Sequence, residues 1–399
     1  MADDIDLSTR LGPLQLKNPF IVGSGPTVRT AAQIKAAEEA GWAAASLKLT
    51  IDPAPYVSLP PRYRWLRRSR MHIFTAETRL TPEKGLRLMD EARARTKDIL
   101  LFANIAYDGP DLDGWGRMAK QFEDAGAHAI ELNMCCPNMS FNISATGTST
   151  EKSTGASLGS DIDVLPGVIR SVLQSVKIPV IAKLTPEGGR VAAAALACAN
   201  AGASAVGSTG NRLGIPDIDI RAPLKPFYRL QDGLTLGCLS GPWIRPLALR
   251  DTFEMRRRLG AGPSVIGSGG VSDLQSAVEQ IMMGADAVWI CTETMLRGFS
   301  WMGKLLQELR AYMKEMGWSH IAQFQGLLIQ EVRSAAELVM HSGHAVLDEA
   351  ACTRCGVCWE IGHCPAISHP DGKTVIDASK CLACSTCVDV CARGALTLG

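Results

Sequence analysis

Residues 264–292 read Ser-Val-Ile-Gly-Ser-Gly-Gly-Val-Ser-Asp-Leu-Gln-Ser-Ala-Val-Glu-Gln-Ile-Met-Met-Gly-Ala-Asp-Ala-Val-Trp-Ile-Cys-Thr. Two short apolar runs, Ser264–Ser268 and Asp286–Cys291, flank a segment, Asp273–Met283, whose apolar residues recur at the helical period. Continuous apolar runs of this kind are typical of parallel strands that are buried on both faces. The stretch therefore predicts a strand–helix–strand unit in a parallel α/β fold.

The same alternation extends back along the chain to Pro19. Eight apolar runs are candidate strands: Pro19–Ser24, Trp42–Leu49, Ile99–Ile105, His128–Asn133, Ile178–Lys183, Ser204–Ser208, Ser264–Ser268 and Asp286–Cys291. The amphipathic segments between them are candidate helices: Ala31–Ala40, Pro82–Arg95, Gly114–Ala125, Val164–Val176, Gly189–Ala201, Leu247–Leu259 and Asp273–Met283. This arrangement predicts an α/β fold, a (β/α)8 TIM barrel. A doubly wound open sheet is the alternative, although it usually has fewer strands at this length.

A TIM barrel carries its active site at the carboxyl ends of its strands, often with a phosphate site after strands seven and eight. The seventh candidate strand ends in Gly267-Ser-Gly-Gly270, whose backbone N–H groups can approach a phosphate, and Cys291-Thr292 follows the eighth. The glycine motif alone is common in turns, so its position in the barrel carries the prediction. The sequence contains no G-x-G-x-x-G motif, so we expect no nicotinamide dinucleotide site in this chain.

Two lysines, Lys48 and Lys183, lie at or near the ends of apolar candidate strands. A buried ammonium group is costly unless it meets an anion or an electron-rich ring. A flavin meets both needs, because its ring accumulates negative charge on reduction and its phosphate would lie on the glycine loop. The alternative is that each lysine simply extends its charged end to water.

The cysteines are concentrated near the C-terminus. Eight of the 13 form two runs, Cys352-x2-Cys355-x2-Cys358-x5-Cys364 and Cys381-x2-Cys384-x2-Cys387-x3-Cys391. Such density indicates metal binding rather than disulfides, and triplets at x2 steps are typical of a ferredoxin module with two [4Fe–4S] clusters. In that pattern the fourth cysteine of each run ligates the other cluster. We therefore predict one cluster on Cys352, Cys355, Cys358 and Cys391, and the other on Cys381, Cys384, Cys387 and Cys364.

Two departures from the two-cluster pattern leave all eight ligands in place. The first run has x5 where x3 is usual, and Ala392 stands where a proline is expected after Cys391. Zinc sites or disulfides are the alternative, but they would have to explain both triplets separately.

Composition and charge narrow the class of protein further. The chain has 399 residues, 46% of them hydrophobic, and a formal net charge of +1, which supports a sizeable core and gives no field that favours nucleic acid or an anionic membrane. The N-terminus lacks a secretory pattern and no apolar run reaches membrane-helix length, so we expect a cytoplasmic enzyme.

The segment Arg62–Arg70 mixes arginines and aromatic residues, and we interpret it as a solvated or subunit-contact loop rather than an RNA site.

Six segments resemble the FMN domain of dihydroorotate and dihydropyrimidine dehydrogenases. They are Asn18–Gly25, Leu47–Thr50, Glu131–Asn138, Ile181–Pro186, Leu239–Pro246 and Ile266–Val271. With the two cysteine runs, the whole chain looks like the FMN and iron–sulfur subunit of bacterial NAD-dependent dihydropyrimidine dehydrogenases. The resemblance implies an FMN-binding barrel with C-terminal helices over residues 1–330, a linker at 331–345 and a ferredoxin domain with two [4Fe–4S] clusters at 346–399. The C-terminal helical region is expected at Met302–Val339.

The resemblance also implies roles for individual residues. The expected FMN contacts are Gly23, Ser24, Lys48, Asn104, Lys183, Ser240, Gly241, Gly269, Gly270, Cys291 and Thr292. Asn133 would hold the substrate, Cys136 would exchange a proton with one substrate carbon while flavin N5 exchanges hydride with its neighbour, and Lys183 would steady negative charge on the flavin.

The positions that contact the substrate in the family depart from its pattern here. Further substrate contacts are expected from Thr75, Glu77, Asn138 and Asn211. Thr75 stands at an asparagine position, Ser208-Thr-Gly-Asn211 replaces an Asn-Ser/Thr pair, and Asn138 stands where the pyrimidine enzymes tend to have histidine. Loss of amides that pair with a ring changes discrimination strongly, so the ring that binds is left open.

The resulting function is an oxidoreductase that acts on a carbon–carbon double bond conjugated to a carbonyl in a cyclic, pyrimidine-like substrate. Electrons would pass through two [4Fe–4S] clusters to or from a partner, either an NAD(P)H/FAD flavoprotein subunit or a ferredoxin, in a homo- or hetero-oligomer. The alternatives are a dihydroorotate-type dehydrogenase, a reductase of a non-pyrimidine cyclic or aromatic substrate, and a flavin and iron–sulfur electron-transfer protein without catalysis.

Overall fold

The computed structural model describes residues 5–52, 58–137, 139–145, 147 and 153–399. The chain divides into two compact units, Met1–Glu331 and Val332–Gly399. This division by itself assigns no function to either unit.

The first unit contains a closed barrel of eight parallel strands. In chain order, barrel strands 1 to 8 are Phe20–Val22, Ala44–Ser46, Leu100–Tyr107, Ala129–Met134, Val180–Leu184, Ala205–Ser208, Ser264–Ser268 and Ala287–Ile290. Strand 8 closes the barrel on strand 1, where Trp289 lies opposite Ile21. The predicted TIM barrel is confirmed, and each barrel strand overlaps one candidate strand. The short strand Thr50–Asp52 also pairs with barrel strand 3.

Helices cover the outside of the barrel. Those of the first unit are Ala31–Glu39, Pro82–Arg95, Leu112–Asp124, Ser140–Ala145, Ala156–Ser160, Leu165–Ser175, Val191–Asn200, Arg245–Leu259, Leu274–Met282, Thr292–Arg297 and Trp301–Glu315. Several begin at side-chain caps, as at Thr81 and Asp273, whose oxygens accept from backbone N–H groups of the first turn. No helix in the described part of the chain is long and apolar enough to cross a membrane.

Large side chains fill the barrel below its carboxyl end. Phe102, Ile181, Ile266 and Trp289 form one buried cluster with the N-terminal hairpin of Thr9–Leu11 and Leu14–Leu16. A second, larger cluster lies between the strands and the surrounding helices. Because the interior is packed in this way, space for a ligand in the barrel is confined to the mouth at the carboxyl ends.

The C-terminal helical region is shorter than predicted. The last long helix ends at Glu315, and only short 3-10 turns, Ile321–Gln323 and Ala335–Glu337, follow within the region expected to extend to Val339. Gly317 has φ of +74°, and the N–H of Trp318 donates to the carbonyl of Met313 at 2.8 Å. This glycine-based C-cap closes the helix, which the apolar pattern alone did not indicate.

A four-stranded antiparallel sheet contributes side chains to the barrel mouth. Its order is Arg212–Gly214, Gly237–Ser240, Met71–Phe74 and Tyr63–Leu66. The interpretation of Arg62–Arg70 as a loop was therefore wrong, because Tyr63–Leu66 pairs with Met71–Phe74 as a hairpin. The alternation in these two segments packs Ile73 against Phe227 and Tyr228.

The second unit is built from two small antiparallel pairs and one short helix. Ala345–Leu347 pairs with Leu396–Leu398, which joins the two ends of the unit, and Ile367–Ser368 pairs with Val375–Ile376. The helix Thr386–Val390 brings Cys387 into a small core with Ala345 and Leu396. So small a core supplies little hydrophobic stabilisation.

Candidate active site

A cavity opens at the carboxyl ends of the barrel strands, roofed in part by the antiparallel sheet. It contains about 1120 Å³ of empty space including its open mouth, which is ample for a cofactor and a substrate together. The predicted site residues that line it are Gly23, Ser24, Lys48, Glu77, Asn133, Cys136, Lys183, Asn211, Ser240, Gly241, Gly269, Gly270, Cys291 and Thr292. Residues far apart in sequence are thus brought together as the barrel topology requires.

One end of the cavity is a cradle of glycine backbone. Gly269 and Gly270 have φ of +102° and +75°, in the left-handed region that favours glycine. A Cβ on Gly270 would lie 2.8 Å from atoms of Arg245, and one on Gly269 would lie 2.7 Å from the Cα of Gly210. Both glycines also line the cavity, so that main chain without side chains faces it, which suits a phosphate group.

A carboxylate inside the barrel holds Lys183 and Asn104. Glu131 is fully buried, its Oε1 accepts from Nζ of Lys183 at 2.9 Å and from Nδ2 of Asn104, and its Oε2 accepts from Oγ of Ser46. Burial opposes the charge on Lys183, but Glu131 outweighs it and raises the pKa of Lys183 above its ordinary value. The ammonium group also lies 4.4 Å from the ring centre of Trp289. Lys183 is therefore a fixed cation in the cavity wall.

The second lysine belongs to a separate charged group. Nζ of Lys48 lies 2.7 Å from Oε2 of Glu77, and the hydroxyl of Tyr63 donates to Oε1 of the same carboxylate. Burial, with the charge of Glu77, raises the pKa of Tyr63, so its proton remains available for that hydrogen bond. Glu77 thus fixes both a cation and an aromatic ring at the cavity wall.

The loop that carries Cys136 is positioned through a chain of amides. Nδ2 of Asn133 donates to Oδ1 of Asn104 at 3.1 Å, and Oδ1 of Asn133 accepts from the backbone N–H of Cys136 at 3.1 Å. Asn104 itself does not line the cavity, so the structure places it behind Asn133, and its expected direct contact with a cofactor remains a prediction. This series of hydrogen bonds connects the buried Glu131, through Asn104 and Asn133, to the loop that carries Cys136.

Arg79 is a cavity residue that the sequence analysis missed. It is buried, its Nη1 donates to the main-chain carbonyl of Glu77, and its Nη2 lies 3.0 Å from Sγ of Cys136. The guanidinium is therefore in contact with the predicted proton donor. No feature of the sequence distinguishes Arg79 from the chain's other arginines.

Other missed residues had a recognisable signal. Tyr63, His72 and Phe74 line the cavity from the hairpin, where rings of Tyr63 and His72 stack with centroids 5.4 Å apart. Burial lowers the pKa of His72 to about 4, so its imidazole is neutral near pH 7. The alternation of these aromatic residues with polar ones could have indicated a hairpin. A lone carboxylate within the apolar strand Ala129–Met134 could likewise have indicated the role of Glu131.

The remaining predicted substrate residues are Thr75, Asn138 and Asn211. Thr75 does not line the cavity, and its Oγ accepts from the backbone N–H of Arg62 at 3.0 Å. Asn138 lies outside the described residues. Direct substrate contact by either residue remains a prediction. Asn211 does reach the cavity, where its Oδ1 accepts from the hydroxyl of Thr209 at 2.7 Å.

The second unit contains a separate cavity with about 390 Å³ of empty space. Its lining includes Cys364, Cys381, Cys384 and Cys387, which are the four cysteines predicted to hold one cluster. Among the described residues, no three His, Cys, Asp or Glu side chains are close enough to hold a single metal ion. A four-iron cluster spreads its four thiolates over different iron atoms, so its ligands stand further apart than those of one ion.

Backbone donors also face several of the cysteine sulfurs. The N–H of Ala345 lies 3.3 Å from Sγ of Cys381, and that of Ala395 lies 3.3 Å from Sγ of Cys391. The N–H of Arg354 lies 3.4 Å from Sγ of Cys352. Donors directed at sulfur stabilise thiolate ligands and tune the potential of an iron–sulfur cluster, so the residues present fit such clusters.

The donor set of the barrel cavity likewise fits FMN. The glycine cradle suits a phosphate, and the fixed ammonium of Lys183 suits a ring system that becomes negatively charged on reduction. Cys291 lines the same cavity, and burial, with the charge of Glu77, raises the pKa of its thiol to about 11. A neutral thiol at that position does not oppose an anionic cofactor.

Known proteins place this barrel in a family. The model of the dihydroorotate dehydrogenase family matches residues 6–313. The chain is 26% identical over 356 residues, 86% of its length and 81% of the relative's, to the chloroplastic dihydropyrimidine dehydrogenase (NADP(+)) of Arabidopsis thaliana. It is 28% identical to the catalytic subunit of dihydroorotate dehydrogenase B (NAD(+)) of Thermoplasma volcanium, covering 82% of this chain and 99% of the relative. The chain belongs to the dihydroorotate dehydrogenase family, whose members are FMN-dependent oxidoreductases.

Proposed function

Because this chain belongs to the dihydroorotate dehydrogenase family, we propose that it reduces or oxidises a carbon–carbon double bond conjugated to a carbonyl in a cyclic, pyrimidine-like substrate. The observation that carries the proposal is the convergence of Asn133, Cys136 and Lys183 on one cavity beside the glycine cradle. FMN, when bound there, supplies or accepts the hydride.

Cys136, held in place by Asn133, provides the proton transfer that must accompany hydride exchange. Addition of hydride to one carbon of a conjugated double bond creates an enolate, whose α-carbon must then receive a proton. The Cys136 thiol faces the cavity and donates that proton in the reducing direction, or accepts it in the oxidising direction. Because Asn133 holds the backbone N–H of Cys136, it fixes the position from which the proton moves.

Lys183 stabilises the negative charge that develops in the cavity during the reaction. Its ammonium is held by Glu131 at 2.9 Å and therefore needs no rearrangement when negative charge develops in the cavity. Lys183 and Gly23, Ser24, Lys48, Ser240, Gly241, Gly269, Gly270, Cys291 and Thr292 are the residues proposed to hold FMN.

Electrons reach or leave the cavity through the second unit in this proposal. Its two cysteine sets would hold two [4Fe–4S] clusters, one on Cys352, Cys355, Cys358 and Cys391 and one on Cys364, Cys381, Cys384 and Cys387. The cysteine-lined cavity and the N–H groups that face the sulfurs support this assignment.

A partner is needed because the sequence has no dinucleotide motif. We propose an NAD(P)H/FAD flavoprotein subunit or a ferredoxin. Support comes from relatives named as the catalytic subunits of NAD-dependent dehydrogenases, since a catalytic subunit implies at least one further subunit.

A dihydroorotate-type dehydrogenase is the second candidate. It is favoured by the relatives from Thermoplasma volcanium and Thermococcus kodakarensis, the latter 29% identical over 81% of this chain and 98% of its own. The pyrimidine-type proposal is favoured by the relative from Arabidopsis thaliana, together with the cysteine-rich second unit of this chain.

The test begins with anaerobic purification and counts of flavin and iron. We expect one FMN and about eight iron atoms per chain, two four-iron clusters. Cys384→Ala should lower the iron content by about four atoms, whereas the matched variant Cys198→Ala, in a barrel helix, should leave it unchanged. Turnover is then measured on cyclic enones, pyrimidines, dihydropyrimidines and dihydroorotate. A colourless protein, or one that turns over none of these compounds, would contradict the proposed function.

A further inference from the structure

Arg79 provides a positive charge next to the predicted proton donor. Its Nη2 lies 3.0 Å from Sγ of Cys136, and both side chains line the cavity. Since Arg79 is buried and a guanidinium stays charged at any ordinary pH, this charge is a permanent feature of the wall.

The two cavity lysines each have a carboxylate partner. Nζ of Lys48 lies 2.7 Å from Glu77, and Nζ of Lys183 lies 2.9 Å from Glu131. Two of the contacts of Arg79 are with Sγ of Cys136 and with the main-chain oxygen of Glu77. A guanidinium carries five N–H donors, and its hydrogen bond to an oxygen that carries negative charge is stronger than one to a neutral acceptor.

The chemistry at Cys136 determines which substrate atom lies near Arg79. In the reducing direction, hydride forms a C–H bond at the β-carbon, the π electrons move toward the carbonyl, and the thiol proton forms the C–H bond at the α-carbon. The carbonyl carbon is bonded to that α-carbon, so its oxygen lies within a few bonds of Sγ. A donor in contact with Sγ is therefore close enough to reach this oxygen.

We propose that Arg79 is a catalytic residue that donates a hydrogen bond to the substrate carbonyl oxygen as it becomes an enolate. This assignment deepens the proposed function and rests on it. The thiolate left on Cys136 is stabilised by the same guanidinium until water returns a proton.

The test uses the purified FMN-loaded protein and 4-nitrophenol, whose phenolate oxygen on a planar ring resembles an enolate. Binding is followed by calorimetry and by the phenolate band in difference spectra. We expect the wild type to bind the phenolate form, Arg79→Gln to bind it about 10- to 100-fold more weakly, and Arg79→Lys to recover part of the loss. Arg62→Gln is the matched control, because Arg62 does not line the cavity and its Nε donates to the carbonyl of Leu230.

Kinetics and composition separate this role from a structural one. On the best cyclic enone, Arg79→Gln should lower kcat by more than it raises KM, with unchanged FMN content and thermal midpoint. Unchanged phenolate affinity in Arg79→Gln, or no phenolate binding by the wild type, would overturn the assignment. Either result would leave the proposed function standing if the wild type still reduces enones, whereas absence of turnover with retained, Arg79-dependent phenolate binding would contradict the function alone.

Discussion

Nζ of Lys183 lies 2.9 Å from Oε1 of Glu131, a carboxylate with no exposure to solvent. The pair places a buried charge of each sign side by side, with Lys183 in the cavity wall and Glu131 behind it, and each charge is tolerated because the other is present. Through Asn104 and Asn133, the same carboxylate also positions the Cys136 loop. Glu131 is therefore connected by hydrogen bonds both to Lys183 and to the loop that carries Cys136.

Removal of one member of this pair should lower the stability of the fold more than removal of both. Glu131→Gln leaves Lys183 without its counter-ion and should lower the free energy of unfolding by about 3–5 kcal/mol, as should Lys183→Met. The double variant should be more stable than the sum of the single losses predicts. Urea unfolding followed by flavin fluorescence measures all three, and strictly additive losses would show that the two charges are not coupled.

The neighbouring cysteines provide a matched pair for the proton-transfer role. Cys136→Ala should lower turnover by about 10²–10⁴-fold while FMN remains bound, because a positioned proton donor is lost. Cys135→Ala should change turnover little. Its Sγ is buried 3.3 Å from Oδ1 of Asn133, and burial raises the pKa of that thiol. Stopped-flow oxidation of the reduced flavin by the best substrate measures both variants, and an equal effect of the two would refute the assignment of Cys136.

The glycine cradle can be tested with two glycines of almost the same conformation. Gly270 has φ of +75° and Gly298 has φ of +76°, so alanine is strained similarly at both. A Cβ at Gly270 would lie 2.8 Å from Arg245, whereas one at Gly298 meets nothing within 4 Å. Gly270→Ala should weaken FMN binding by about tenfold or more, because the clash with Arg245 must shift the main chain that is proposed to hold the phosphate. Equal FMN affinities in the two variants, measured by fluorescence titration, would remove Gly270 from the binding site.

His72 should make the barrel sensitive to acid. Burial lowers its pKa to about 4 from the ordinary value of 6.5, so the unfolded chain takes up a proton before the folded one does as the pH falls. The associated stability is present above about pH 6.5, is lost progressively as the pH falls to about 4, and amounts to roughly 3 kcal/mol.

His72→Gln should therefore flatten the fall in stability between pH 6.5 and 4, while other groups continue to contribute. Thermal release of flavin fluorescence across this pH range provides the comparison with wild type. A variant that loses stability with acid as steeply as the wild type would show that His72 is protonated in the folded protein.

The barrel was predictable because its strands carry their own signal. A strand buried on both faces is largely apolar, so runs such as Ser264–Ser268 can be recognised from their own sequence without knowledge of the neighbouring strands. The glycine loop after that strand and the two cysteine runs were equally local, since spacing in the sequence fixes what a short loop can bring together. The end of the last long helix was missed because a C-cap glycine, Gly317, interrupts an apolar pattern that continues beyond it.

The sequence by itself determined the order of strands and helices, because each element depends on residues close together in the chain. Only the tertiary structure decided that Arg79 touches Cys136, that Glu131 holds Lys183, and that the hairpin carrying Tyr63 and His72 faces the barrel mouth. Those contacts join residues from different strands and loops. Their partners are selected by how the closed barrel and the antiparallel sheet pack together, and no local pattern encodes that packing.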